Sequence, residues 1–409
     1  MPHVLVIGGG FAGVWAAAGV MRARREVGAR AADVRVSLID ASDDMVIRPR
    51  LYEAHPEQMR VPLDRVLGPI GVRRSAATVT EIDTERRVVT SVNRAGETQV
   101  TAYDRLVLAT GSKVIRPPFA GAEDVFTVDT LPEAAALEAH LNRLRAGHDQ
   151  AGQYTAVVVG AGFTGLEVAT ELCGRLRAIA PPGVEASVVL VERADAVGPE
   201  LGQGPRPIIE QALDKLGVQV RLGISVESVT PTEVRLSEGS TVAACTTVWT
   251  GGMAASKLTS QIPGRRDRLG RLHVDQYLRV DGVPDVYAAG DTAAPYADDD
   301  HVVTQSCQHA VPQGKFAGHN VGADLLGHPM VPFAPDPYVT CLDLGPAGAV
   351  LCSGWEREVV KSGDAAKRQK SNINAEWIYP PVDDGEKILD WADHRTTWPI
   401  EETVAAASV

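Results

Sequence analysis

The chain has 409 residues, a formal net charge of −12 at pH 7, and 44% hydrophobic and 22% charged residues. That length accommodates roughly two or three domains, each with its own core, and the composition is that of an ordinary globular protein. The acidic balance weighs against a sequence-independent grip on nucleic acid and against docking on an anionic membrane. No apolar run approaches the roughly twenty residues of a bilayer span, and no basic leader precedes the first apolar run. A cytoplasmic location without an integral membrane segment is therefore expected. Five scattered cysteines (Cys173, Cys245, Cys307, Cys341, Cys352) lack close redox or zinc-ligand spacing. Neither a disulfide framework nor a metal centre is expected from them, so any redox chemistry must be carried by a cofactor.

HVLVIGGGFAGVWAA, residues 3–17, reads as a short buried strand, a tight turn and the start of an alanine-rich helix; VRVSLID follows as a second strand ending at Asp40. Gly8, Gly10 and Gly13 stand in Gly-x-Gly-x-x-Gly order. The first permits the tight turn, the second lets the backbone approach a pyrophosphate, and the third lets the helix pack on the strand. Phe11 and Ala12 open a helix whose free N–H groups and partial positive charge face phosphate. Asp40, followed by Ala41, can accept hydrogen bonds from ribose hydroxyls.

The phrase returns in TAVVVGAGFTGLEVATEL, residues 155–172, with Gly160, Gly162 and Gly165 around Phe163 and Thr164, and the strand ASVVLVE ending at Glu192. In both copies the acid lies 32 residues after the first glycine and 27 after the last, somewhat beyond the usual distance of about 20. One glycine motif also arises in plain strand-to-helix turns. Two, each in a strand–turn–helix–strand context with a terminal acid, imply two dinucleotide sites. Glu192 favours a free 2′-hydroxyl, hence NADH over NADPH; the adjacent Arg193 reads as a solvated loop charge.

Three further stretches complete a pattern: YDRLVLATGS (103–112), TTVWTGGMAAS (246–256) and VDGVPDVYAAGDTAA (280–294). In this order around the glycine motifs they resemble the Ala-Thr-Gly crossover, the closing nicotinamide strand and the second flavin motif of the two-dinucleotide-domain flavoproteins, the pyridine nucleotide-disulfide oxidoreductase superfamily. Within it, IRPRLYE (47–53), TVTEID and CQHAVPQG look most like type II NADH dehydrogenases and apoptosis-inducing-factor-like reductases.

The resemblance implies an α/β fold of two Rossmann-like domains with a smaller C-terminal α+β part. The FAD-binding domain would take residues 1–115 and 270–333, the NAD(P)H-binding domain 116–269, and the C-terminal domain and tail 334–409. RPPFAG and PGRRDRLG would mark the crossings. FAD and NADH are the implied cofactors. Gly8 to Gly13, with Ala109, Thr110 and Gly111, would hold the FAD, with Asp40 and Ala41 at its adenosine ribose and Val79 meeting the adenine through its backbone. Asp291 would serve the ribityl chain or the phosphate. Leu51 and Arg48 would flank the flavin, although Arg48 and Arg50 also read as plain surface charges. Gly160 to Gly165, Glu192 and Gly251 would hold the nicotinamide nucleotide.

The resemblance also implies a catalytic set. Cys307, Gln308 and His309 would begin a helix whose amides face the flavin pyrimidine edge, where negative charge gathers on reduction. His309 alone reads as a structural histidine. Glu167, placed in the first turn of its helix, also reads as a carboxylate favoured by the helix dipole; the family puts a glutamate near the junction of flavin and nicotinamide. Lys370 matches a lysine near the flavin, and the Lys367–Arg368–Lys370 run also reads as a solvated face.

Two departures matter. Type II dehydrogenases use Ala-Gln-x-Ala-x-Gln at the quinone; here CQHAVPQG puts Pro312 where the second glutamine belongs and Gln313 one place late. A proline there removes an N–H and bends the path, so an altered quinone site is expected. The acid-rich, proline-broken ending DDGEKILDWADHRTTWPIEETVAAASV replaces the basic amphipathic helices of membrane-bound relatives. It reads as a soluble tail over the site or a dimer partner, with Trp391 and Trp398 as packing residues. The electron acceptor is expected to be a small, quinone-like molecule. A secondary-metabolite tailoring enzyme, a ferredoxin-type reductase and a redox-responsive NADH-binding protein remain alternatives, and a homodimer stays open by analogy with such folds.

Overall fold

The computed structural model describes residues 1–28, 34–145 and 150–396. The apolar run HVLVI forms the strand His3–Ile7, buried along its whole length, as a parallel strand covered on both faces must be. Around it stands an eight-stranded sheet, in the order Arg279–Val280, Val283–Ala288, Arg105–Leu108, His3–Ile7, Arg35–Asp40, Arg73–Asp83, Val88–Asn93 and Thr98–Ala102. The five central strands run parallel. Arg73–Asp83 outlasts its parallel partner and becomes one side of an antiparallel ribbon, with an irregularity between Val79 and Glu81.

Helices Phe11–Val27 and Cys307–Leu326, from opposite ends of the chain, pack on each other through glycine. Gly314, Gly318 and Gly322 recur every fourth residue and so share one helix face. A Cβ at Gly314 would sit 2.4 Å from the Ala12 carbonyl oxygen, and one at Gly318 2.2 Å from that of Ala16. Only glycine lets the two backbones touch there.

The second sheet is parallel throughout: Gln219–Leu222, Ser187–Glu192, Thr155–Val159, Thr246–Trp249. The helix Phe163–Ile179 follows its first strand, and a three-stranded antiparallel sheet, Val226–Thr230, Glu233–Leu236 and Thr241–Ala243, stands beside it. The two chain passages between the large sheets run side by side, because Ser112–Val114 pairs antiparallel with Met253–Ala255.

A C-terminal antiparallel sheet, Val339–Asp343, Ala349–Ser353 and Glu358–Ser362, carries the helix Gly363–Asn372. It docks on Phe163–Ile179 at Gly345, where a Cβ would stand 2.7 Å from the Thr170 carbonyl oxygen. The last helix, Gly385–Trp391, is capped by Asp384 and corrects the expectation for the tail. Arg25 donates to Asp390 at 2.7 Å, Arg22 to Asp393 at 2.6 Å, and Lys315 to the Thr396 carbonyl at 3.1 Å. The described part of the tail therefore straps the outer side of the paired helices rather than covering a site. Trp391 is 37% exposed, and Trp398 lies outside the described residues. Among the described residues, no helix is long and apolar enough to cross a membrane.

Candidate functional site

Both glycine loops open onto one long cleft, and they are built alike. Gly8 has φ +109° and Gly160 φ +105°, a region that side-chain-bearing residues avoid. A Cβ on Gly13 would lie 1.8 Å from the Gly8 oxygen, and one on Gly165 1.8 Å from the Gly160 oxygen. Those two glycines are packing residues and do not reach the cleft wall. Gly10 and Gly162 differ: a Cβ on either would meet nothing within 4 Å. The open space lies at the N-termini of Phe11–Val27 and Phe163–Ile179, neither of which has a side-chain cap or an acid in its first turn. The first N–H groups of each helix are thus left for a ligand, and phosphate is the ligand that fits.

Each acid braces its own loop. Asp40 accepts from the Gly9 N–H at 2.6 Å and the Ser42 N–H at 2.7 Å. Glu192 accepts from the Ala161 N–H at 2.7 Å and the Ala194 N–H at 2.9 Å. A carboxylate offers about four lone-pair sites, so each retains capacity for a ribose hydroxyl. The Thr110 hydroxyl is buried with no partner among the described residues, an acceptance or donation left for a bound group. Ala41, Val79, Ala109, Gly111 and Gly251 line the same cleft. The residues present fit two dinucleotides.

Between the two loops lies a charged knot. Arg48 donates to Ser112 Oγ at 2.9 Å, contacts Asp291 at 3.5 Å and pairs with Asp129. Ser112 donates to Asp291 at 2.6 Å, and the Val114 N–H to Asp129 at 2.9 Å. Arg48 is therefore no free surface charge. Its neighbour Leu51 is a correction: the 3-10 turn Arg48–Arg50 rotates it inward, where it is 2% exposed and belongs to the core.

Glu167 stands at the fifth residue of Phe163–Ile179, in the second turn and not the first as expected. Its partner is tertiary. Lys370 donates to it at 2.8 Å and to the Cys341 carbonyl at 3.1 Å, and the Asp343 N–H donates to it at 3.2 Å. Burial alone would lower the Lys370 ammonium, but the Glu167 carboxylate more than reverses this and keeps it protonated. Asp343 also accepts from Tyr52 at 2.9 Å. Burial and then the Glu167 charge push the Tyr52 phenol well above its ordinary range.

The helix Cys307–Leu326 begins where expected, with Ser306 as its cap. Cys307 and Gln308 line the cleft. Burial pushes the Cys307 thiol up to about 11, so it stays protonated at neutral pH. His309 turns to the inner side of the helix, 1% exposed, and does not form the cleft wall. Burial lowers it to about 4. The helix also runs on through Pro312 without a break. Gln313, one place late in the motif, is buried and accepts from the Gly290 N–H at 2.9 Å, fixing the turn that presents Asp291.

Sequence reasoning missed Ser112 and Asp129, which come to Arg48 from 64 and 81 residues away. It also missed the wall formed by Tyr338, Trp355 and Arg357. No local pattern announces either.

A family model described as pyridine nucleotide-disulphide oxidoreductase matches residues 2–314. An NADH dehydrogenase-like protein of Mycobacterium tuberculosis is 49% identical over 385 residues, covering 93% of this chain and 95% of its own. A type II NADH:quinone oxidoreductase of the same organism is 30% identical over 323 residues, covering 71% of this chain and 66% of its own. Among solved structures, NDH2 of Plasmodium falciparum in complex with NADH superposes with TM-score 0.76 over 96% of both chains at 13% identity. That last likeness is one of fold.

Proposed function

Since the chain belongs to the pyridine nucleotide-disulphide oxidoreductase family, and is thereby an oxidoreductase of flavin and pyridine nucleotide, we propose that it oxidises NADH through FAD and delivers the electrons to a quinone-like small molecule. The observation that carries this reading is the duplicated loop: two cradles built alike, braced by Asp40 and Glu192, facing one cleft. Names of relatives support the direction, one being an NADH dehydrogenase-like protein and another an NADH:quinone oxidoreductase.

In this reading residues 1–115 and 270–333 form the flavin unit, 116–269 the nicotinamide unit and 334–409 the C-terminal part. The flavin, when bound, supplies hydride acceptance and onward electron transfer. The chain supplies placement. The loops at Gly10 and Gly162 hold the two pyrophosphates. Glu192, with both oxygens already on backbone N–H groups, leaves room for a ribose hydroxyl and repels a 2′-phosphate, which favours NADH over NADPH. The start of Cys307–Leu326, where Ser306 accepts from the His309 N–H, still turns the N–H groups of Cys307 and Gln308 and the positive end of the helix dipole toward negative charge in the cleft. Glu167 and Lys370, both lining the cleft, hold a proton within reach of an acceptor that must gain one.

The test is anaerobic. NADH should bleach the visible flavin band faster than NADPH, and 1,4-naphthoquinones should restore it. A yellow protein that neither nucleotide bleaches is incompatible with this assignment.

A further inference from the structure

One end of the cleft is an aromatic wall. The rings of His301 and Trp355 stack with centroids 4.5 Å apart and planes at 4°. Trp355 and Tyr338 stack at 4.3 Å and 28°. The Arg357 guanidinium lies over Tyr338, 4.3 Å from the ring centroid. Tyr338, Trp355 and Arg357 line the cleft together with the start of Cys307–Leu326.

Arg357 is out of place there by every ordinary standard. It is 9% exposed, its Nη1 makes no hydrogen bond, and no ion pair joins it among the described residues. Its φ of +58° is a left-handed value, which a residue with a Cβ adopts at a cost. A buried cation without a counter-charge is costly too, and the ring of Tyr338 offsets only part of that. Arg271, on the same wall, shows the usual arrangement: it donates to Asp267 at 2.7 Å and to the Val303 carbonyl at 2.6 Å. Close by, His309 Nε2 is also buried without a partner among the described residues. Its Nδ1 lies 3.2 Å from the Thr304 carbonyl oxygen. With Nδ1 donating there, Nε2 is an acceptor.

We infer that Arg357 is an acceptor-recognition residue, and that the acceptor is a planar aromatic molecule carrying an ionised oxygen, an enolate or carboxylate. Tyr338 and Trp355 provide the flat apolar wall, and the guanidinium provides the missing charge-assisted hydrogen bond. This rests on the acceptor reading above but sharpens it: the favoured quinone is acidic rather than a neutral lipid.

The test compares 2-hydroxy-1,4-naphthoquinone, ionised at neutral pH, with its 2-methoxy ether, which has the same rings and no charge. Dissociation constants for the FAD-loaded protein are measured by calorimetry without NADH, so the result stands whether or not NADH proves to be the donor. The wild type should prefer the anion. In Arg357→Gln that preference should fall about tenfold or more, the worth of one hydrogen bond to a charged group. Arg357→Lys should keep part of it. KM ratios in turnover with NADH should move in parallel. Equal weakening of both ligands in Arg357→Gln, or no preference in the wild type, overturns the inference. Unchanged circular dichroism and flavin content in Arg357→Lys separate a recognition role from a failure to fold.

Discussion

Lys370 Nζ lies 2.8 Å from Glu167 Oε1, the two side chains being 8% and 6% exposed. The pair ties the C-terminal helix Gly363–Asn372 to the helix that starts at the second glycine loop. Removing one partner of a buried pair strands a charge, at a cost of about 3–5 kcal/mol. Lys370→Met should lose that much in urea unfolding, and Glu167→Gln combined with Lys370→Met should recover most of it. A single variant as stable as the double would mean that the pair is not closed in solution.

The two open glycines separate the two nucleotides. Gly10→Ala places a methyl group in free space at an allowed φ of −81°, so the fold should hold while the flavin content of the purified protein falls. Gly162→Ala should keep its flavin and raise the KM for NADH about tenfold, equivalent to about 1.4 kcal/mol. Gly13→Ala, with its clash on the Gly8 oxygen, should fail to fold. If Gly162→Ala were the variant that emptied of flavin, the order of the sites would be reversed.

His309 sets an acid limit. Burial holds its folded pKa at about 4, against 6.5 for the free side chain. The unfolded chain therefore binds the extra proton first, and stability falls as pH drops from 6.5 towards 4. Above 6.5 the residue contributes no slope. His309→Gln should show a shallower decline in Tm across that window, with the curves parallel above it. Identical slopes in both proteins would show that His309 titrates normally.

The glycine seam between Phe11–Val27 and Cys307–Leu326 tolerates no side chain. Gly318→Ala should cost about 1–3 kcal/mol by forcing the helices apart, and Gly314→Ala a similar amount. Thermal melts of the flavin-free proteins measure it. A neutral Gly318→Ala would mean that the helices sit further apart than described.

What the sequence disclosed follows from range. Gly8, Gly13 and Asp40 act through bonds to near neighbours in the same strand–turn–helix unit, and their spacing alone announces them; the same holds for Gly160, Gly165 and Glu192. Leu51 departs from what the resemblance implies because the 3-10 turn before it points successive residues in different directions: Tyr52 lines the cleft while Leu51 is buried in the core. Glu167 and Lys370 are both legible as candidates through the family resemblance, but their pairing across 203 positions leaves no local trace. Asp129 and Arg357 were invisible for the same reason: each acquires its meaning only when distant segments meet.

The pairing of Phe11–Val27 with Cys307–Leu326 also constrains how the chain reaches its final form. A ribosome releases the first helix some three hundred residues before its partner, while the strands of the second sheet emerge as one uninterrupted stretch. The middle of the polypeptide can therefore settle while it is still being synthesised. The N-terminal strand finds both its neighbours, Arg35–Asp40 and Arg105–Leu108, early, whereas the glycine-facing side of Phe11–Val27 stays bare until the far end arrives.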